Sequence, residues 1–388
     1  MLKGGVCRMK KINLTRDILV TGENALEYLK EIDTKKAVII TGGSSMKRTG
    51  VLDRVTELLE EIGADVAIYS GVGKNPTTKM VLSGLAFVRE QKPDCILAVG
   101  GGSSIDAAKV MLLFYEHPEL NFDNVFSSDL DALEFHTRFI AIPSTSGTAS
   151  EVTRVSVITF EEEHFKRAIR SINIFPNAAI LDPSLPATLP AHIAAETGMD
   201  ALTHALEAYI NKNGNDFTDA LAKEAIEGIL EWLPESVLKG TLKAREKVHN
   251  YQCMAGMAFA NSGLGMVHGV SHAFGGMYNV AHGLANAVIL PYSMDYNKKD
   301  PEVAAKYEKL SRILGQDVTE AVKELSAKID IPAKMQDAGV AEEDFKRDFT
   351  QLLDFSMQGS TVVNPIPVSR EDMEKFLNCI YYGTKVDF

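Results

Sequence analysis

The chain is poor in the residues that would staple, anchor or charge a specialised protein. Its four cysteines, Cys7, Cys95, Cys253 and Cys379, are scattered with no CxxC pair. That spacing excludes a disulfide framework and a cysteine zinc knuckle, and it fits a reducing cytoplasm. Basic residues are in deficit: 40 lysines and arginines against 52 aspartates and glutamates leave a formal net charge of −12. Neither nucleic acid nor an acidic membrane surface is therefore an expected partner. No apolar run reaches the roughly 20 residues of a membrane span. The start, MLKGGVCRMKKINL, lacks the apolar stretch of a secretory signal, and Met9 is an alternative initiator. Internal repeats and low-complexity tails are missing too. What is there, 45% apolar and 24% charged over 388 residues, is ordinary globular composition, long enough for two domains and suited to small-molecule partners.

Short apolar runs alternate with helical patterns through the first half. AVIIT (37–41), DVAIYS (65–70) and CILAVG (95–100) read as strands, separated by helices over 50–62 and 77–91 and followed by one over 104–115. Such alternation predicts βαβ units on a parallel sheet. FIAIPS (139–144) and AAILDP (178–183) continue the series, with VSVITF (155–160) as an added strand or hairpin arm. From about Ala191 onward amphipathic runs such as DALAKEAIEGILEWL and DVTEAVKELSAKI dominate, with breaks expected at Pro234, Pro291, Pro332 and Pro365. The proline-rich stretch LDPSLPATLPAHI marks the boundary between an α/β domain, residues 1–186, and an all-helical domain, residues 187–388.

Two glycine turns suggest a dinucleotide. GGGSSIDAAKV, from Gly100, Gly101 and Gly102 through Ser103, Ser104 and Asp106, follows a buried-looking strand and opens a helix. Glycines let backbone approach a pyrophosphate, and the helix start supplies free amides and a positive dipole end. The turn follows the third strand, not the first, so it departs from the GxGxxG fingerprint, and a plain tight turn is an equal reading. The second turn, at Gly42, Gly43, Ser44 and Ser45, comes before Lys47 and Arg48, and no carboxylate occurs until Asp53. Hydroxyls, amides and cations there suit a 2′-phosphate, which favours NADP(H) over NAD(H); a solvated basic turn is the plainer alternative. Asn75 in GVGKNPTT could bond phosphate or ribose, or simply turn the chain before Pro76. Thr145, Ser146 and Thr148 in PSTSGTASEVT could line the nicotinamide or diphosphate path, or form a hydroxyl-rich cap with Glu151.

The second half carries a metal-binding pattern. In TGMDALTHALEAY, Asp200 and His204 are four residues apart and share a helical face. GMVHGVSHAFGG and NVAHGLANA add His268 and His282. Each has an ordinary reading alone, as a packed histidine or a helix-start aspartate. Together, one carboxylate and three imidazoles suit a borderline divalent ion such as Fe(II), Zn(II), Mn(II) or Co(II), with a coordination position left open for substrate. His272, one turn beyond His268, is better placed to relay a proton or position substrate than to ligate.

GGGSSIDAAK, PSTSGTASEVT, TGMDALTHALEAY and GMVHGVSHAFGG…NVAHGLANA resemble, in order and spacing, the iron-containing or group III alcohol dehydrogenases, and the likeness spans almost the whole chain. TGGSSMKRTGVLDRV is similar to the NADPH-dependent butanol dehydrogenase branch. The resemblance implies a dehydroquinate synthase-like/iron-containing alcohol dehydrogenase fold: a Rossmann-like dinucleotide domain, an all-α metal domain and a cleft between them. It implies metal-ligand roles for Asp200, His204, His268 and His282, and a place for His272 near the reacting carbon. Dinucleotide contacts fall to Gly100–Ser104, Asn75, Thr145, Thr148 and Lys166. Where NAD-using relatives carry an aspartate after the first strand, this sequence has Gly42.

The implied reaction is reversible oxidation of a short primary alcohol such as butanol by NADP(H), with Fe(II), Zn(II) or another divalent metal, in a cytoplasmic homodimer. A lyase or polyol dehydrogenase on the same scaffold is the nearest alternative within enzymes. A cyclase of the dehydroquinate synthase kind would need several basic residues for a phosphate-bearing substrate, and the metal-site stretches hold few. A dinucleotide sensor without turnover is the reading from another class.

Overall fold

The computed structural model describes residues 11–162 and 165–388, so Cys7 and Met9 lie outside the described residues. Its strands are β1 (Ile18–Thr21), β2 (Lys36–Gly42), β3 (Asp65–Val72), β4 (Cys95–Gly100), β5 (Arg138–Pro143), β6 (Val155–Phe160), β7 (Phe165–Arg170) and β8 (Ala178–Leu181). Six of them make one parallel sheet in the order β1-β8-β5-β4-β2-β3. Strands buried on both faces read as continuous apolar runs, and CILAVG of β4, buried at every residue, is of that kind. The crossovers α1 (Ser45–Arg48), α2 (Val51–Glu61), α3 (Thr78–Gln91) and α4 (Gly102–Glu116) follow β2, β3 and β4. β6 and β7 stand apart as an antiparallel hairpin arm.

Among the described residues no strand follows Leu181. The helices there are α5 (Ala191–Ile210), α6 (Asp216–Leu238), α7 (Leu242–Ser262), α8 (Met266–Tyr278), α9 (His282–Asn297), α10 (Pro301–Leu314), α11 (Val318–Lys328), α12 (Glu342–Ser356) and α13 (Arg370–Tyr382). The architecture is thus an α/β part with a parallel sheet and a mostly helical part. Helix α5 runs through the middle of the latter against α6, α7 and α9, and every residue from Gly198 to Ile210 is buried.

Two expected breaks are absent. Pro234 lies inside α6 and Pro291 inside α9, whereas Pro332 and Pro365 do fall outside helices. An internal proline removes one backbone hydrogen bond and costs about 3 kcal/mol. Packing offsets that in α9, where eleven residues including Pro291 are buried. Two strands are additions to the sequence reading: β1 is only four residues long, and β7, FKRAIR, has its apolar pattern broken by three cations.

The two parts are stitched by a small apolar cluster that joins Ala149 and Val152, on the loop after β5, and Leu181 of β8 to Cys253 and Met257 of α7. The same loop is held by a buried cation. Lys109 of α4 is fully buried, and its ammonium donates to Ser150 O (2.7 Å), Thr153 O (2.9 Å) and Val155 O (2.7 Å) and to the hydroxyls of Ser150 and Thr153. Burial draws its pKa down to about 8, with Asp106 and Glu151 pulling the other way. Replacing Lys109 with Met would leave these acceptors without their donor in a dry site. Lys109→Met should destabilise the fold by about 3 kcal/mol, read from the midpoint of urea unfolding.

Candidate functional site

Three helices deliver four side chains to one point. Asp200 and His204 sit one turn apart on α5. α8 starts at Met266 and presents His268, and α9 begins at His282 itself. The start of α9 abuts α5 so closely that a Cβ on Gly283 would overlap the carbonyl of Glu196, so glycine is required there. Asp200 Oδ1 lies 3.9 Å from His204 Nε2, 3.8 Å from His268 Nε2 and 3.6 Å from His282 Nε2. Atoms bound tetrahedrally at about 2.1 Å from a common ion are about 3.4 Å apart, close to these separations. Asp200, His204 and His268 offer atoms that all lie within 4.8 Å of one another; His282 stands outside that trio and joins through Asp200.

In each imidazole the far nitrogen is tied down. His204 Nδ1 is 3.2 Å from Gly147 O, His268 Nδ1 is 2.6 Å from Glu207 Oε2, and His282 Nδ1 is 3.3 Å from Ser271 Oγ. Fixing Nδ1 leaves Nε2 to face Asp200, the arrangement that orients imidazoles toward a cation. Asn286, one turn into α9 from His282, donates its amide to Asp200 Oδ1 at 2.7 Å. The ring of Phe259 stacks on His204 at 4.3 Å.

The electrostatics is that of a cation site. Burial opposes charge on Asp200, yet His204, His282 and His268 hold its carboxyl far below the usual range. Burial lowers His204 to about 4 and His282 to about 3 despite Asp200, so both imidazoles are neutral, and Nε2 of His282 lies 3.1 Å from the Asn286 amide nitrogen. His268 goes the other way, up to about 9: burial is outweighed by Glu207 and Asp200, two anions that would equally favour a metal. Its side is closed, Asp200, His204 and His268 being no more than 4% exposed, whereas the His282 side chain is 29% exposed and marks the open side. His272 lies there too, stacked on His282 at 5.0 Å and nearly parallel, and burial with the nearby His282, His268 and Lys166 drives it well below the ordinary imidazole range.

The dinucleotide candidates lie at strand ends and on the loops that follow them. Gly100 ends β4 with φ +152°, Gly101 caps α4, and Gly102, Ser103 and Ser104 form its first turn. Thr145 packs on Gly101 and Thr148 on Gly102, so the two loops are in contact. Lys166, on the β7 arm that leans against α8, donates to Asn75 Oδ1 at 2.9 Å, which joins those two candidates. Gly42 ends β2, and Gly43, Ser44, Ser45, Lys47 and Arg48 are exposed beyond it. Two candidates are engaged elsewhere. The Asp106 carboxylate faces inward, accepting from Ser150 Oγ at 2.5 Å and from the Val157 amide at 2.9 Å. Ser146 Oγ lies 2.9 Å from Nδ1 of buried His249, on α7. Both side chains fix the loop.

The sequence reading passed over Glu207, Asn286, His249 and Lys109. Spacing offered a signal for the first two: Glu207 is three residues beyond His204, and Asn286 four beyond His282. His249 and Lys109 meet their partners only across the fold.

Comparison with known proteins matches both parts of the chain. The family model described as iron-containing alcohol dehydrogenase covers residues 17–183, and that of the Fe-containing alcohol dehydrogenase family, C-terminal, covers residues 194–381. The NADPH-dependent butanol dehydrogenase of Clostridium saccharobutylicum is 42% identical, over 98% of this chain and 100% of that protein. The structure of an iron-containing alcohol dehydrogenase from Thermococcus thioreducens superposes with a TM-score of 0.90 at 36% identity, over 97% of this chain and 100% of that one. A 1,3-propanediol oxidoreductase structure gives 0.89 at 34% identity, over 96% and 100%. Sequence and fold agree, and the chain belongs to the iron-containing alcohol dehydrogenase family of oxidoreductases.

Proposed function

We propose that this chain interconverts short primary alcohols and aldehydes, such as butanol and butanal, with NADP(H), at a divalent metal held by Asp200, His204, His268 and His282. The observation that carries the reading is the approach of three imidazole Nε2 atoms to one buried carboxylate oxygen, with the His282 side chain partly exposed. A bound Fe(II) or Zn(II) would supply Lewis acidity to the substrate oxygen. Residues 1–186 would hold the dinucleotide and residues 187–388 the metal. Gly100–Ser104 at the start of α4, with Thr145 and Thr148 against them, would cradle the diphosphate; Asn75 and Lys166 would take up polar groups nearer the nicotinamide. His272, on the open side and uncharged, would position the substrate or pass its proton to solvent. Among the described residues no helix is long and apolar enough to cross a membrane. A cytoplasmic homodimer is the proposed form.

Preference for NADP(H) has a local cause. β2 and β3 slip register at Gly42, and a Cβ there would overlap the carbonyl of Val72 and lie 3.1 Å from Ser104 Oγ. A carboxylate that would clasp a ribose 2′-hydroxyl has no room. Lys47 and Arg48 are exposed, with no ion-pair partner among the described residues, and available to a 2′-phosphate.

Two measurements test this. Protein loaded with Fe(II) or Zn(II) should consume NADPH when butanal is added, followed at the nicotinamide absorbance band, and His268→Ala should lower the rate more than about 100-fold. Lack of turnover with every short aldehyde would favour a lyase or a sensor. The double substitution Lys47→Ala with Arg48→Ala should raise KM for NADPH about tenfold or more while leaving that for NADH nearly unchanged.

A further inference from the structure

The centre is supported by a second carboxylate that none of the four converging side chains supplies. Glu207 of α5 is 4% exposed, and both of its oxygens are used: Oε2 lies 2.6 Å from His268 Nδ1, and Oε1 accepts from the Val267 amide at 2.8 Å. One side chain thereby grips the His268 ring and the backbone that carries it. No lysine or arginine among the described residues lies within 4.0 Å of Glu207 or Asp200. Two carboxylates are thus buried together beside the converging imidazoles. Buried charge without compensation is costly.

We propose that Glu207 is a positioning residue of the metal centre: through His268 it aims one imidazole lone pair at the ion, and it sets a second carboxylate behind that ligand. The inference rests on the metal reading given above. A histidine whose outer N–H is held by a carboxylate is a stronger and better-oriented ligand, and loss of such an outer partner costs 10- to 100-fold in metal affinity or activity as a rule of thumb, roughly. The local packing is shaped around this carboxylate. At Gly265, which caps α8, a Cβ would come within 2.9 Å of Glu207 Oε1 and 3.0 Å of Asn364 Oδ1.

The test challenges the metal-loaded protein with graded chelator and measures retained metal by elemental analysis. Glu207→Gln keeps the shape of the side chain and removes its charge. It should lose Zn(II) at roughly 10- to 100-fold lower free chelator than the wild type, while its NADPH affinity, read by fluorescence, stays unchanged and shows the fold intact. In the iron-loaded protein the same substitution should raise the Fe(III)/Fe(II) midpoint potential, because removing a negative charge favours the less positive ion. A purely structural role would leave that potential where it was. Should Glu207→Gln fail to fold, Gly265→Ala displaces the carboxylate without removing it and should lose metal more easily than the wild type. His204→Ala separates the two ideas: if it retains Zn(II) as the wild type does, the metal reading itself fails. If His204→Ala loses metal while Glu207→Gln holds it as tightly as the wild type at an unshifted potential, only the role of Glu207 is overturned.

Discussion

A carboxylate buried in the middle of a helical core, faced by imidazoles and not by lysine or arginine, is the constraint around which this molecule is arranged. Asp200 is 2% exposed on a helix whose last thirteen residues are all buried. An ionised carboxylate in such a place is expensive unless charge and hydrogen bonds compensate it. The Asn286 amide meets part of that need, and three Nε2 atoms within 3.9 Å supply a cradle whose full compensation is a cation. The glycine at 283 and the tight start of α9 follow from the same demand: three helices must come close enough to share one oxygen.

The link between the two parts of the chain is the segment from Ser144 to Val155. Its backbone carbonyl at Gly147 fixes His204, its Ser146 meets His249 of α7, and its Ser150 and Thr153 are bonded to Lys109 of α4. Thr145 and Thr148 in the same segment touch Gly101 and Gly102. A loop fixed at this many points places the glycine turn at the start of α4 at a set distance from the converging Asp200, His204, His268 and His282, which is what the proposed hydride transfer between two separately held partners demands. Asp106 and Ser146, which the sequence offers as ligand contacts, also take part in this fixation.

Much of this was legible beforehand because it rests on local periodicity. The parallel strands announce themselves as apolar runs, α5 by its continuous helical pattern, and Asp200 with His204 by four-residue spacing. β7 was not legible, since FKRAIR carries more charge than apolar surface and is defined by pairing with β6. Pro234 and Pro291 misled because proline's local cost says nothing about the packing that offsets it. Glu207 and Asn286 were within reach of spacing arguments, yet their meaning depends on which histidine they touch, and that is a property of the folded chain. His249 meets Ser146 across 103 residues, a contact that no sequence window contains.

The most direct test of the central claim is anomalous diffraction from crystals of the protein loaded with Zn(II) and NADPH. The arrangement described here predicts a single strong metal peak about 2.0 to 2.2 Å from Asp200 and from Nε2 of His204, His268 and His282. A peak elsewhere, or Asp200 satisfied by Asn286 alone with the three imidazoles turned apart, would contradict it.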